Sequence, residues 1–171
     1  VNINIPGFVK NIERGEILEA AKVLKETSAL PAVCGRVCPQ EKQCESQCFY
    51  KLKLKKDAVA IGYLERFAAD YERESGMISV PEIKEKNGKK IAVVGSGPAG
   101  LSFAGDMAKM GYSVTVFEAL HEIGGVLKYG IPEFRLPNKV VDVEIENLRK
   151  MGVTFIKDCI VGKTISIKDL E

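Results

Sequence analysis

Four of the five cysteines fall within fifteen residues, as Cys34-x3-Cys38-x5-Cys44-x3-Cys48. Thiolates grouped in this way can hold a metal. Neither pair has the C-x2-C spacing that zinc ribbons prefer. Gly35 and Pro39 predict irregular backbone from Cys34 to Cys48, and thiolates on such a loop can ligate an iron–sulfur cluster. Iron–sulfur ligation, zinc ligation and structural or redox-sensing cysteines all stand open on spacing alone. A disulfide framework is not expected, because no positively charged segment precedes an apolar export stretch. Cys159 lies alone in an apolar, strand-like setting and reads as a core residue. His121 is the only histidine, so a His-rich metal site or a serine–histidine triad would have to be built on it alone.

A second chemical signal is Ile91-Ala92-Val93-Val94-Gly95-Ser96-Gly97-Pro98-Ala99-Gly100, an apolar strand entering G-x-G-x-x-G. Gly95 suits the tight turn, Gly97 the approach of a pyrophosphate to the backbone, and Gly100 close packing of helix on strand. The free N–H groups of the helix start then point at the anion. Glu118 ends the next strand, where a carboxylate can accept hydrogen bonds from ribose hydroxyls and repel a 2′-phosphate. That favours FAD or NAD over NADP. The competing reading is a ligand-free glycine turn with a solvent-facing acid. Gly124-Gly125 and the stretch from Gly130 to Pro137 follow, with Arg135 placed to meet an anionic group; a proline-stiffened connection explains them equally well.

The elements that must carry these groups change character along the chain. Ile17, Ala20, Ala21 and Leu24 form the apolar stripe of a helix over residues 16–29, which Leu30-Pro31 should end. Asp57 is a plausible N-cap for a second helix burying Ala60, Leu64, Phe67, Ala68 and Tyr71. Between them, Lys51, Lys53, Lys55 and Lys56 form a charge run that suits a solvated loop or an acidic partner. Residues 75–88 lack either periodicity and read as a linker. Beyond them strands and helices alternate: strand 91–95, helix 98–110, strand 114–118, a helix capped by Asn138, and strand 153–156. That order predicts a parallel sheet with right-handed crossovers.

The whole chain of 171 residues has 25 Lys and Arg against 23 Asp and Glu, a net charge of +2. The charges are interspersed, so no basic face argues for nucleic acid. Hydrophobic residues make up 46 %, enough for a packed core. The apolar runs are far shorter than the roughly 20 residues a membrane span needs. The expectation is a soluble, cytoplasmic protein, not bound to membrane. With no initiator Met and a last residue, Glu171, inside what reads as the start of another element, it is expected to be a fragment of something larger.

The ordered set Val33-Cys34-Gly35-Arg36-Val37-Cys38-Pro39-Gln40, Cys44 to Cys48, Ala60-Ile61-Gly62-Tyr63-Leu64-Glu65-Arg66-Phe67, the glycine loop, and Gly130 to Pro137 closely resembles one family. That family is the small (beta) subunit of NADPH-dependent glutamate synthase. Its relatives include the flavin subunit of NADH-dependent ferredoxin:NADP oxidoreductase and the N-terminal half of dihydropyrimidine dehydrogenase. The resemblance implies an α+α/β chain: a helical [4Fe-4S]-type domain (residues 1–74), the linker, and a partial Rossmann-like parallel α/β FAD-binding domain (residues 89–171). It implies electron flow from NADPH through FAD to two [4Fe-4S] clusters and a large catalytic partner subunit. By position, Cys38, Cys44 and Glu65 would ligate one cluster and Cys48 the other, with Cys34 not a ligand. For FAD it implies Gly95, Gly97, Pro98, Ala99, Gly100, Glu118, Gly125, Val126, Arg135 and Val161. The family's upstream group of four cysteines has no counterpart in these residues. They are therefore expected to complete no cofactor site and to be inactive alone. The alternative function is a non-redox, zinc-stabilised module fused to a nucleotide-binding Rossmann unit.

Overall fold

Helices fill the first half of the chain because its apolar residues recur at helical spacing. The computed structural model describes residues 2–170, which form two compact units that meet in sequence between Ser79 and Val80.

In the first unit, α1 (Ile5–Glu13) is capped by the Asn4 side chain, which accepts the Gly7 N–H at 3.0 Å. α2 (Ile17–Thr27) places Ala20, Ala21 and Leu24 inward, as its stripe predicts. The helix does stop before Leu30, but Pro31 then starts a new helix, α3 (Pro31–Val37). Proline costs nothing at the first helical position, where its missing N–H would be unbonded anyway. Cys34 therefore lies on a helix and Cys38 at its end, where an irregular loop was expected. A one-turn α4 (Phe49–Leu52) precedes α5 (Ile61–Ser75), which ends at Gly76 in the left-handed conformation (φ 71°). Phe8, Ala20, Leu24, Ile61 and Ala68 form the core of this unit.

Two expectations for α5 are corrected. Asp57 does not cap it; the helix starts four residues later, and the Gly62 N–H is satisfied at 3.1 Å by the Glu45 carboxylate from the second cysteine turn. Nor does α5 bury Phe67 and Tyr71, which are 47 % and 45 % exposed; Ile61, Gly62, Glu65, Ala68, Ala69 and Glu72 face inward. The helix is rotated by the close approach of α3. A Cβ at Gly35 would lie 2.6 Å from the Arg66 backbone nitrogen, so a second helix sits where only small or polar side chains fit.

The second unit is a parallel sheet in the order β1-β2-β3, from β1 (Lys90–Val94), β2 (Ser113–Phe117) and β3 (Thr154–Ile156). The crossovers are α6 (Pro98–Lys109) and, after the short α7 (Val126–Tyr129), α8 (Asn138–Lys150). Both steps move in the same direction across the sheet, so right-handed crossovers put both helices on one face. Leu101 and Ala104 of α6 and Val140, Val141, Ile145 and Leu148 of α8 are buried there with Val93, Val114 and Val116. Asn138 is the first residue of α8 and not its cap; Glu133 takes that role, its two oxygens receiving the Asn138 N–H at 3.0 and 3.1 Å. Gly111 and Gly152 follow α6 and α8 at φ 85° and 91°, the left-handed closure expected of them. No helix of the described residues is long and apolar enough to cross a membrane.

Candidate functional sites

The cysteine site is assembled by α3 clamping onto α5. Gly35 permits the contact, and Arg36 fixes it: its Nη2 reaches both oxygens of Asp70 at 2.7 Å, with the guanidinium almost fully buried. Arg66 and Arg73 close on the same carboxylate, at 3.5 and 3.1 Å. Gln40 lies over Gly62 and donates from Nε2 to the Cys34 carbonyl at 2.8 Å, tying the first cysteine turn to both helices. Glu45 ties the second. Cys44 packs against the first unit's core.

Glu65, 5 % exposed, is thereby brought into electrostatic reach of Cys34, Cys38 and Cys44. Burial pushes all three thiols up, and the Glu65 charge adds to each shift. A cation that takes up these sulfurs must therefore displace their protons, the ordinary coupling of metal and proton at a thiolate site. Cys48 differs. Its Sγ accepts the Val59 N–H at 3.5 Å, and the backbone there holds the thiol below its usual range. The five cysteines form no disulfide. Among the described residues no three His, Cys, Asp or Glu side chains stand close enough to share one metal ion. A donor set of thiols plus one carboxylate, with Cys48 standing off, fits ligation of a multi-iron cluster, in which each ligand meets its own iron.

At the glycine turn, Gly95 takes φ +95°, and a Cβ at Gly100 would meet the Gly95 carbonyl oxygen at 2.1 Å, the tight helix–strand contact inferred for that position. A Cβ at Gly97 would meet nothing within 4 Å, so open space lies over the N-terminus of α6, where Pro98 and Ala99 are exposed. Gly125 joins this turn directly: a Cβ on it would stand 2.9 Å from the Gly97 Cα. The second glycine turn is thus packed against the first, and Val126 leads away from it, 53 % exposed. From the other side, Lys128 holds this segment to α8, with Nζ 2.5 Å from Asp142 and 3.0 Å from Glu122.

Glu118 is 6 % exposed and turned inward. Oε2 accepts the Ser96 N–H at 2.8 Å and a short bond from the Ser96 hydroxyl; Oε1 accepts the Leu120 N–H at 2.9 Å. Burial works to raise this carboxyl, but the Ser96 and backbone donors outweigh it and hold it below its ordinary value. An ionised carboxylate offers about four acceptor positions. The Ser96 hydroxyl and the backbone of Ser96, Ala119 and Leu120 address them. Open space over Gly97 beside a fixed carboxylate at the end of β2 fits a dinucleotide.

Arg135 is exposed, and no hydrogen bond or ion pair joins it or Val161 to the glycine turn among the described residues; Val161 bridges instead to Ile165. Sequence reasoning missed Ser96, which is fully buried and also accepts the Gly124 N–H at 2.9 Å. It occupies a free position of the motif, so spacing carries no sign of it.

Residues 1–77 match the family described as dihydropyrimidine dehydrogenase domain II, 4Fe-4S cluster, and residues 93–153 match the NAD(P)-binding Rossmann-like domain family. The chain is 41 % identical over 168 residues to the NAD-dependent dihydropyrimidine dehydrogenase subunit PreT of Escherichia coli K12, covering 97 % of this chain and 40 % of that protein. It is 39 % identical over 166 residues to the NADPH glutamate synthase small chain of the same organism, covering 97 % and 35 %. With the NADPH-Fe(3+) oxidoreductase subunit beta of Geobacter sulfurreducens PCA it shares 38 % over 172 residues, covering 99 % and 25 %. The chain therefore spans between a quarter and two fifths of the length of these relatives.

Proposed function

We infer, for a chain that belongs to the family of iron–sulfur NAD(P)-dependent oxidoreductase subunits including the glutamate synthase small chain, that it is the cluster-bearing and dinucleotide-binding part of an electron-transfer flavoprotein. Residues 1–74 act as the cluster domain, 75–88 as the linker, and 89–171 as part of the FAD domain. FAD, when bound, turns the two-electron hydride of NADPH into single electrons that [4Fe-4S] clusters can carry to a large partner subunit. The work of this chain's own residues is to hold those groups. Cys38, Cys44 and Glu65 serve one cluster and Cys48 a second, the remaining ligands coming from elsewhere in the protein. The α6 N-terminus and Gly97 receive the pyrophosphate, Glu118 the adenosine ribose, and Gly125, Val126 and Arg135 the flavin side, with Val161 against adenine. A cytoplasmic location goes with this reading.

The observation that carries it is Glu65. A carboxylate buried in a helix interface and set against three thiols suits cluster ligation and has no place in an apolar core. The test is metal and cofactor analysis of the intact protein. Iron and acid-labile sulfide with flavin absorption, and [4Fe-4S] EPR signals after dithionite reduction, are expected. Stoichiometric zinc in a colourless protein would overturn the reading in favour of a non-redox module; NAD in place of FAD would overturn the cofactor assignment alone.

A further inference from the structure

The Gly95–Gly100 turn follows β1, while Glu118 and the Gly124–Gly125 turn stand at opposite ends of the β2–α7 connection, and one side chain ties all three together. Ser96 has no exposed surface. Its hydroxyl accepts the Gly124 N–H at 2.9 Å and donates its single proton to Glu118 Oε2. A hydroxyl has only one donor, and a carboxylate can only accept, so the direction of this relay is fixed: Gly124 N–H to Ser96 Oγ–H to Glu118. With the Ser96 N–H on the same oxygen, Oε2 is full. The Leu120 N–H on Oε1 and the Ala119 backbone fix the rest of the carboxylate.

We propose that Ser96 is a positioning residue for the dinucleotide: it sets the orientation in which Glu118 meets the adenosine ribose, and it locks the Gly124–Gly125 turn against the glycine loop. This rests on the dinucleotide reading above and adds to it a residue that touches no ligand. The packing supports the lock, because Gly125 lies within 2.9 Å of Gly97 measured from a Cβ and leaves no room for the two turns to slide. Removing the hydroxyl leaves the Gly124 N–H buried without its acceptor and takes away one of the two Ser96 donors that hold Oε2. Both faults fall on the cofactor side of the sheet.

The test uses the intact flavoprotein, stripped of cofactor and titrated with FAD and with an FAD analogue carrying 2′-deoxyribose in its adenosine half. The parent should prefer FAD. Ser96→Ala should lower FAD affinity by about tenfold or more, the scale of a hydrogen bond to a charged group, and should erase the preference over the deoxy analogue. Because Ser96 acts through Glu118, the Ser96→Ala/Glu118→Gln pair should discriminate no worse than Glu118→Gln alone. A packing role would lower affinity for both ligands equally and leave the preference intact, which would overturn the proposal. So would additive losses of preference in the double variant. If Ser96→Ala does not fold, Ser96→Cys keeps the bulk with a weaker donor, and undiminished discrimination there counts equally against it. A parent that binds neither dinucleotide, or binds both alike, refutes the underlying ribose reading and this proposal with it.

Discussion

Burying a carboxylate is costly unless donors or cations meet it, so buried acids, Glu65, Glu72 and Glu118 among them, mark where this chain commits polar chemistry to its interior. Glu72 is met by Lys25 Nζ at 2.5 Å, while Ser79 donates to it from both N–H and hydroxyl. Glu65 lies within electrostatic reach of Cys34, Cys38 and Cys44. Glu118 is met by Ser96 and Leu120, and its lowered pKa has a consequence for stability. A carboxyl depressed in the folded state stabilises the protein above its unfolded value of about 4.5, and that contribution disappears as pH falls through the lower, folded value. Glu118→Gln should therefore be less stable than the parent at pH 7 and lose less stability on acidification below about pH 4.5. Urea unfolding of both proteins across that range checks it; parallel pH dependences would show that Glu118 is not held ionised by these bonds.

At the scale of elements, the α3–α5 clamp is the contact on which the cysteine site depends. Gly35→Ala would drive a methyl group to 2.6 Å from the Arg66 nitrogen and 2.8 Å from its Cα. Backbone cannot yield as a flexible side chain can, so the helices must part, at a cost of roughly 1–3 kcal/mol. The expected result is that loss in denaturant unfolding together with poorer iron retention, because Cys34 and Cys38 move with α3 while Glu65 stays on α5. Full iron content at reduced stability would separate the clamp from the site. This contact also shows what could be read in the sequence. β1, α6, β2, α8 and β3 were legible to within a residue or two, because each carries its own periodicity and β1, α6 and α8 also a glycine stop. The glycine turn was legible for the same reason, but not the inward hold of Ser96 on Glu118, since Ser96 stands at a free position of the motif. The face of α5 was not: its aromatic residues suggested Phe67 and Tyr71 as core, whereas Gly35 and Arg36, thirty residues earlier, decide which side is covered. Its N-terminus was equally hidden, since Glu45 supplies the cap from a distant turn.

For the molecule as a whole, the division into two units, each with its own buried apolar set, governs how far damage should spread. In the first unit the Lys25–Glu72 pair is 7 % and 5 % exposed, and Lys25 also donates to the Ser79 carbonyl at 2.9 Å. Lys25→Met strands a buried carboxylate, which typically costs about 3–5 kcal/mol, whereas replacing both partners with apolar residues is often nearly neutral. In the second unit, Gly100→Ala pushes a Cβ into the Gly95 carbonyl, between α6 and β1. Substitutions that share no partners act independently. Hydrogen exchange on the intact chain should then show faster opening of α2 and α5 amides in Lys25→Met with β1 and β2 amides unchanged, and the reverse pattern in Gly100→Ala. The Lys25→Met/Glu72→Leu variant should restore much of the protection in α2 and α5, apart from the Ser79 donors left to water. If either single substitution loosens both sets of amides, the units do not open independently. If the double variant restores nothing, the pair's role is not electrostatic.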